Sequence, residues 1–388
     1  MATYTTVLKQ HTPMWHFQCD QPGCTLRATE LKPKLDKFLI ARLIETQRNV
    51  PDDYWVDPQR KSDKDFHALD YKVSIIPSDD NLGRAFKCFH TARFSLFFAN
   101  MGQDDENQKF PIYYGNTLTC RFFSLNEDLI DFIKENINAF FASTNFGTRQ
   151  SKGFGCFLPK GLTNLDEFGA SYKFSIDIKR EKENKKTGEI IHVQPSSALY
   201  FQNLFQQLET FYKILRGGNA IKRQRSLMEH YAATLRDTVW DKTLFTQMIR
   251  HERISNKECY LFRDLLGFSP IIDYKQGRDK GCQIEKSSAG IERFKSPLTF
   301  KLVEKCPYHF DVYIYIYDIP AEMQKAIFTA TASRAGRTLG TMDLRFCPVS
   351  LPDYMKFVYK QSEDNKNGKR AFVYQKDAID MFKSLVKL

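Results

Sequence analysis

The chain has 388 residues, 42% of them hydrophobic and 14% aromatic, which is enough apolar material for a large packed core and excludes wholesale disorder. At ~150 residues per domain the length suggests two or three domains. The 57 Lys and Arg against 46 Asp and Glu leave a formal charge of +11, which favours a polyanionic partner, nucleic acid before an acidic membrane.

In chain order, residues 4–10 alternate weakly and predict a first strand, broken at Pro13. A Gly- and Cys-containing loop leads to a basic helix over about Lys32–Arg48, with Leu31, Leu35, Phe38, Leu39 and Leu43 at helical spacing. Residues 50–70, rich in Asp, Pro and Lys, predict an exposed insertion, and strand-like runs follow at 71–76, 85–98 and 117–124. Asn126 is a suitable cap for a helix over 127–142. A Gly-rich connection, FASTNFGTRQSKGFGCF, then enters a strand, and another strand near 170–179 runs into KREKENKKTGE, a solvated hairpin tip or a mobile loop. Residues 196–266 read as mostly helical and 267–296 as a linker. Strands return at 297–303 and 310–319. In the second, Tyr313, Tyr315 and Tyr317 alternate with Val312, Ile314 and Ile316, so one face is aromatic and the other aliphatic. Helices are expected at 321–331, 351–360 and 376–388.

Two stretches share an order of strand, helix, basic Gly loop and strand. Arg149-x-x-Lys152-x-Phe154-Gly155 aligns with Arg334-x-x-Arg337-x-Leu339-Gly340, which suggests two copies of one α+β unit. No apolar run approaches the ~18–20 residues of a membrane helix. The start, MATYTTVLKQ, lacks the layout of a signal peptide. Nine scattered Cys read as a reduced, cytoplasmic protein without a disulfide framework.

Four constellations have chemical potential. In Phe146–Gly155, Gly147, Gly153 and Gly155 would let backbone amides approach a phosphate, Arg149 and Lys152 would add charge, and Phe154 would stack on a base. The loop is neither a P-loop nor a dinucleotide fingerprint, and a tight helix-to-strand turn with solvated charges explains the same spacing. In Leu26–Lys34, Thr29 is a candidate cap with Pro33 in the first turn. Arg27, Lys32, Lys34 and Lys37 there place positive charge at a helix start, or simply form a solvated basic face. Lys222-Arg223-Gln224-Arg225, with Arg216 and Arg236 nearby, suits phosphates along a helix but fits a solvated face better. His11, His16, Cys19 and Cys24 invite a zinc reading, but H-x4-H-x2-C-x4-C matches no familiar finger, so no metal and no cofactor are expected. Nucleophilic and metalloprotease motifs are absent, and the eight His are scattered. A His-based RNA-cleaving site, with His11 or His16 as candidates, needs no local motif and stays open.

The G-x-R-x-x-K-G-F-G core resembles the glycine-rich loop of the RAMP superfamily of CRISPR-associated RNA-binding proteins. HTPMW followed by LRATELKPKLDKFL resembles that superfamily's N-terminal pattern. Glu292-Arg293-Phe294-Lys295-Ser296-Pro297-Leu298 is similar to the R-x-x-S-P-L element of the first-subunit family of the type III-B (Cmr) effector complex. The resemblance implies an α+β fold of two tandem ferredoxin-like (RRM-like) domains with a helical insertion. The expected boundaries are 1–195, 196–285 and 286–388. It further implies a non-catalytic subunit that contacts guide and target RNA near the 3′ end of the guide, packs on other Cmr subunits and has no membrane partner. Its implied RNA-binding residues are Gly147, Arg149, Lys152, Gly153, Phe154 and Gly155, then Arg27, Lys32 and Lys34, then Arg293, Arg334 and Arg337. The second loop departs from the pattern, with Thr338 and Leu339 in place of Gly and Phe. A relative of the sixth Cmr subunit and a metal-independent guide-maturing RAMP endoribonuclease are the alternatives.

Overall fold

The computed structural model describes residues 1–15, 21, 24–46, 49–63, 65–78, 86–89, 110–183, 187–218, 224–235, 238–254, 258–274, 277–292, 294–369 and 378–388. His16, Cys19, Lys222, Arg223, Arg236 and Arg293, all singled out above, lie outside the described residues.

The first half contains β1 (Ala2–Gln10), β2 (Met14–Trp15), α1 (Ala28–Glu45), β3 (Lys72–Pro77), β4 (Phe86–Cys88), β5 (Pro111–Tyr114), β6 (Thr117–Ser124), α2 (Glu127–Ser143) and β7 (Phe157–Pro159). Strands β3, β6, β1 and β7 form one antiparallel sheet in that order. Leu118, Cys120 and Phe122 of β6 are buried at a period of two, as expected of a sheet with one face on a core. Leu129, Ile133, Ile137 and Phe140 of α2 repeat at helical spacing and pack into the same core. Asn126 caps α2 as expected, accepting from the Leu129 N–H at 3.0 Å. Helix α1 starts earlier than expected, and its N-cap is Arg27 rather than Thr29. Pro33 consequently falls beyond the first turn, inside the helix.

The rest contains β8 (Tyr172–Asp177), β9 (Glu181–Glu183), β10 (Ile190–His192), α3 (Ala198–Arg216), α4 (Leu227–Ala232), β11 (Thr238–Val239), α5 (Asp241–Ile249), β12 (Glu258–Leu261), β13 (Ile271–Asp273), β14 (Cys282–Ser287), β15 (Leu298–Cys306), β16 (His309–Ile316), α6 (Ala321–Lys325), β17 (Ile327–Arg334), β18 (Arg337–Phe346), α7 (Leu351–Lys366), α8 (Ile379–Lys383) and β19 (Val386–Lys387). Strands β15, β16, β8 and β19 form a second four-stranded antiparallel sheet in that order.

The two sheets are built alike. In each, strands taken in chain order stand second, third, first, fourth across the sheet, with helices between the first and second and between the third and fourth. In the second sheet β8 is the first strand. It lies before the expected boundary at 195/196, so sheet membership crosses that boundary. The segment 217–297 and the β17–β18 hairpin are excursions that form a separate six-stranded sheet, β11-β12-β18-β17-β14-β13. Residues 282–287, expected in a linker, are therefore a paired strand.

The expected echo at Arg334-x-x-Arg337 is corrected by this topology. Helix α6 stops at Lys325, and residues 327–334 are a strand. Ala335 and Gly336, with φ of 50° and 78°, turn directly into β18 as a two-residue hairpin. Arg149-x-x-Lys152 instead joins a helix to a strand.

The alternation in β16 places the second sheet between two cores. Phe310, Val312 and Ile314 pack with Phe174 of β8 and Phe211 of α3, while Tyr313 and Tyr315 join the core of the first half. Among the described residues, no helix is long and apolar enough to cross a membrane.

Candidate nucleic-acid interface

The segment Asn145–Cys156 carries the chain from α2 to β7, and its amides are largely spent inside the protein. The Gly147 N–H donates to Glu30 Oε1 at 2.6 Å and the Thr148 N–H to the Trp15 carbonyl at 3.1 Å. The Lys152 and Gly153 N–H groups donate to the carbonyls of Arg149 (2.9 Å) and Gln150 (3.2 Å), closing a tight turn. The Gly155 N–H reaches the Pro13 carbonyl at 2.8 Å, and the Cys156 N–H reaches Thr12 Oγ1 at 3.0 Å. The three glycines all have positive φ, between 67° and 82°. At Gly147 a Cβ would overlap the Trp15 carbonyl, and at Gly155 that of Phe146. The glycines thus serve close backbone packing, and these six amides are not available to cradle a phosphate.

The loop also clasps the second sheet. Asn145 Nδ2 donates to the Gln150 carbonyl at 2.8 Å and the Phe300 carbonyl at 2.9 Å, and the Phe300 N–H donates to the Ser151 carbonyl at 3.1 Å. Lys301 Nζ donates to the carbonyls of Thr144 (2.6 Å) and Phe157 (3.2 Å). The glycine loop and the Ser296-Pro297-Leu298 element at the start of β15, far apart in sequence, therefore meet in space.

Two of the expected contacts point inward. Phe154 is 1% exposed and stacks on Phe205 of α3, so it is not available to a nucleobase. Lys152 is 4% exposed, with Nζ 3.9 Å from the Tyr212 ring centroid, so it does not reach a phosphate at the surface. Both residues were assigned to RNA on motif position, and both pack the junction between the two halves. Arg149 is half-buried, with its guanidinium 5.6 Å from the Trp15 ring centroid, in a backbone conformation of φ 59°.

The basic start of α1 splits in the same way. Lys32 is engaged in packing: Nζ lies 2.7 Å from Asp36 Oδ2, 2.8 Å from the Leu69 carbonyl and 4.2 Å from the Tyr71 ring centroid. Lys34 belongs to the loop, with Nζ 3.0 Å from the Asn145 carbonyl, 3.1 Å from Glu30 Oε1 and 4.8 Å from the Phe146 centroid. Arg27 is half-buried and Lys37 exposed.

Lysines accumulate where the halves meet. Burial, and then Lys295, push Lys34 below the usual lysine range despite Glu30. Burial, then Arg216 and Lys295, hold Lys152 well below it. Burial, with Lys34 nearby, lowers Lys301 although the Cys156 sulfur favours its charge. Desolvation also lowers Arg149. Lys295 is exposed at the rim. Positive charge packed this closely, with Glu30 already shared by Lys34 and an amide, favours a bound anion. Sequence reasoning missed Lys295 and Lys301. Lys295 stood inside the R-x-x-S-P-L stretch, and Lys301 was signalled by its place among apolar neighbours in LTFKLV.

Arg334 and Arg337 do not join this cluster. They are exposed at the β17–β18 turn of the six-stranded sheet. Arg225 is exposed and pairs with Glu229 at 3.5 Å. Arg216 is turned inward, donating to the carbonyls of Arg263 (3.0 Å) and Gly267 (2.8 Å). His11 is 3% exposed, and its Nδ1 accepts the Glu304 N–H at 3.0 Å. Burial, then Lys9 and Lys301, push its pKa down to about 3. It is a neutral structural acceptor. Among the described residues no group of His, Cys, Asp and Glu is placed to hold a metal.

Family models that together span most of this α+β chain show it to be a RAMP-class CRISPR-associated protein. Residues 1–219 match the family model of the Cmr1 N-terminal domain, and residues 223–382 match that of the Cmr1 C-terminal domain. The chain therefore belongs to the Cmr1 family of type III-B systems, whose members are subunits of the multi-subunit Cmr complex. Among solved structures it is similar to Cmr1 from Pyrococcus furiosus in its apo form, at 12% identity and a TM-score of 0.41, over 93% of this chain and 97% of that one. No curated protein sequence matches it.

Proposed function

We propose that this protein is a non-catalytic RNA-binding subunit of a Cmr effector ribonucleoprotein, built on two ferredoxin-like domains. In this reading it holds guide and target RNA near the 3′ end of the guide and packs against other Cmr subunits in the cytoplasm. The observation that supports it is the lysine cluster at the glycine loop. Lys34, Lys152 and Lys301 are held below their usual range chiefly by burial, with Lys295 adding at Lys34 and Lys152, Arg216 at Lys152 and Lys34 at Lys301, and an RNA phosphate at the rim would relieve that repulsion. Arg149, Lys34 and Lys295 are its direct phosphate contacts. Lys152 and Lys301 lie buried behind them, and the glycines and Phe154 hold the loop's shape. The buried, accepting state of His11 removes it as a general acid or base and favours binding without cleavage.

The test is to incubate the purified chain with labelled guide RNA and CRISPR-repeat RNA, without metal, and read binding and cleavage in one gel across a salt series. Salt-sensitive binding with the RNA intact is the expected result. Specific cleavage would replace this reading with that of the guide-maturing endoribonuclease.

A further inference from the structure

Two turns of the six-stranded sheet lie side by side. Strand β14 pairs with both β13 and β17, so the β13–β14 connection and the β17–β18 turn emerge at the same end of the sheet, with Cys282 opposite Arg334. Arg334 stitches them together, its guanidinium lying 3.3 Å from the Arg278 carbonyl and 3.4 Å from the Lys280 carbonyl. Between them is an open notch of about 470 Å³, lined by Asp273, Tyr274, Lys280, Gly281, Ser333 and Gly336 among others. That volume lies within the ~300–1,000 Å³ typical of ligand sites. The turn glycines Gly281 and Gly336 have φ of 82° and 78°, and among the described residues no atom beyond their chain neighbours stands within 4 Å of where their Cβ atoms would be.

The electrostatics favour an anion there. Lys280 lines the notch, and Arg278, Arg334 and Arg337 are exposed on the two turns that flank it. Of the carboxylates, Asp273 lines the notch and accepts from Gln283 at 3.1 Å, while Asp279 takes a two-pronged contact from Arg250, at 2.8 and 3.0 Å. The Arg250 contact, with Arg278 and Arg334 adding, lowers the Asp279 pKa.

We propose that this notch is a second RNA contact, on a different sheet from those the glycine loop joins, that takes one or two nucleotides of a single strand. Lys280, Arg334 and Arg337 hold the phosphates, and the partly buried Tyr274 ring forms the floor of the nucleotide site. The proposal rests on the RNA-binding reading above but uses different residues on a different sheet.

The experiment is a fluorescence-anisotropy titration of the full chain with labelled single-stranded RNA of mixed sequence, over a series of KCl concentrations. The variant Lys280→Ala/Arg334→Ala/Arg337→Ala is compared with Lys61→Ala/Lys72→Ala/Lys160→Ala, which removes equal charge from exposed sites elsewhere. Circular dichroism and thermal melting confirm that both fold. At about 0.7 per phosphate contact, the notch variant should flatten the slope of log K against log salt by about 2. The control should keep the parental slope, and Lys280→Arg/Arg334→Lys/Arg337→Lys should restore it. A parental slope in the notch variant, or an equal loss in the control, would overturn the notch and leave the glycine-loop reading standing. If the unmodified chain shows no salt-dependent binding, the RNA reading itself fails and the notch with it.

Discussion

Phe154 and Phe205 lie face to face, with ring centroids 3.8 Å apart and planes 3° from parallel. Trp15 meets Phe154 edge-on at 6.0 Å. One ring thus joins the glycine loop, the N-terminal strand pair and helix α3. Replacing Phe154 by Ala should cost about 3–5 kcal/mol in a denaturant titration, because a fully buried aromatic leaves a cavity that the surrounding elements cannot close. Phe154→Leu should cost far less and should keep the RNA affinity of the parent. Lost affinity in a folded Phe154→Leu protein would instead return this ring to a base-stacking role.

Arg149, Lys34 and Lys295 should carry the direct phosphate contacts of the loop. Arg149→Ala/Lys295→Ala should weaken RNA binding and flatten its salt slope by about 1 to 2, while shifting the melting temperature little. Arg149→Lys preserves charge but not a planar group over Trp15, so a partial loss in that variant would show that stacking contributes. Unchanged binding in the double variant would remove the loop from the interface.

The buried lysines fix a pH dependence with a definite sign. Lys152 has a folded pKa below its unfolded value, so between the two the unfolded chain binds more protons. Its cost to stability is full below the folded pKa and fades as pH rises from there toward the unfolded value of about 10.5. Lys152→Met should therefore be at least as stable as the parent at pH 7, and should lose part of the parent's gain in stability on the alkaline side. Denaturant midpoints measured at several pH values check this. An Lys152→Met protein much weaker than the parent at pH 7 would mean that the contact with Tyr212 outweighs desolvation.

His11 acts on the acid side. Its folded pKa of about 3 lies below the unfolded value of 6.5, so its neutral form supports the fold fully above pH 6.5. That support is lost progressively as pH falls toward 3, as protons bind the unfolded chain first. His11→Gln keeps an acceptor for the Glu304 N–H and should show a shallower loss of stability from pH 7 to pH 4. Parallel acid profiles for the two proteins would show that other groups dominate the transition.

The glycines of the loop should rank by what lies beside them. Gly155→Ala and Gly147→Ala drive a methyl into a backbone carbonyl at positive φ, and should give little soluble folded protein. At Gly153 the obstacle is the end of the Leu302 side chain, which can move, so Gly153→Ala should fold with reduced stability. Gly161, with φ 94° and open space beside it, isolates the backbone penalty of about 1–2 kcal/mol. Equal expression and melting across the set would show that the loop is slacker than its contacts imply.

Local patterning determined much of this protein by itself. The strand-like run at 117–124, the period of two in 310–319, met as a strand over 309–316, and the helix over 127–142 with its Asn126 cap are written in short windows, and each is met in the fold. The family, too, was legible from the G-x-R-x-x-K-G-F-G and S-P-L stretches. Pairing partners were not, because they depend on contacts across hundreds of residues. Nothing in YKFSID announces that β8 is the first strand of a sheet completed by residues 298–387, or that Arg334-x-x-Arg337 is a hairpin turn. The fate of each side chain in the glycine loop was equally hidden. Arg149 and Lys152 are two basic residues three apart, yet one lies over Trp15 at the surface and the other is sealed under Tyr212. Burial is set by the second sheet closing over the loop, and only the tertiary structure decides which charge meets solvent.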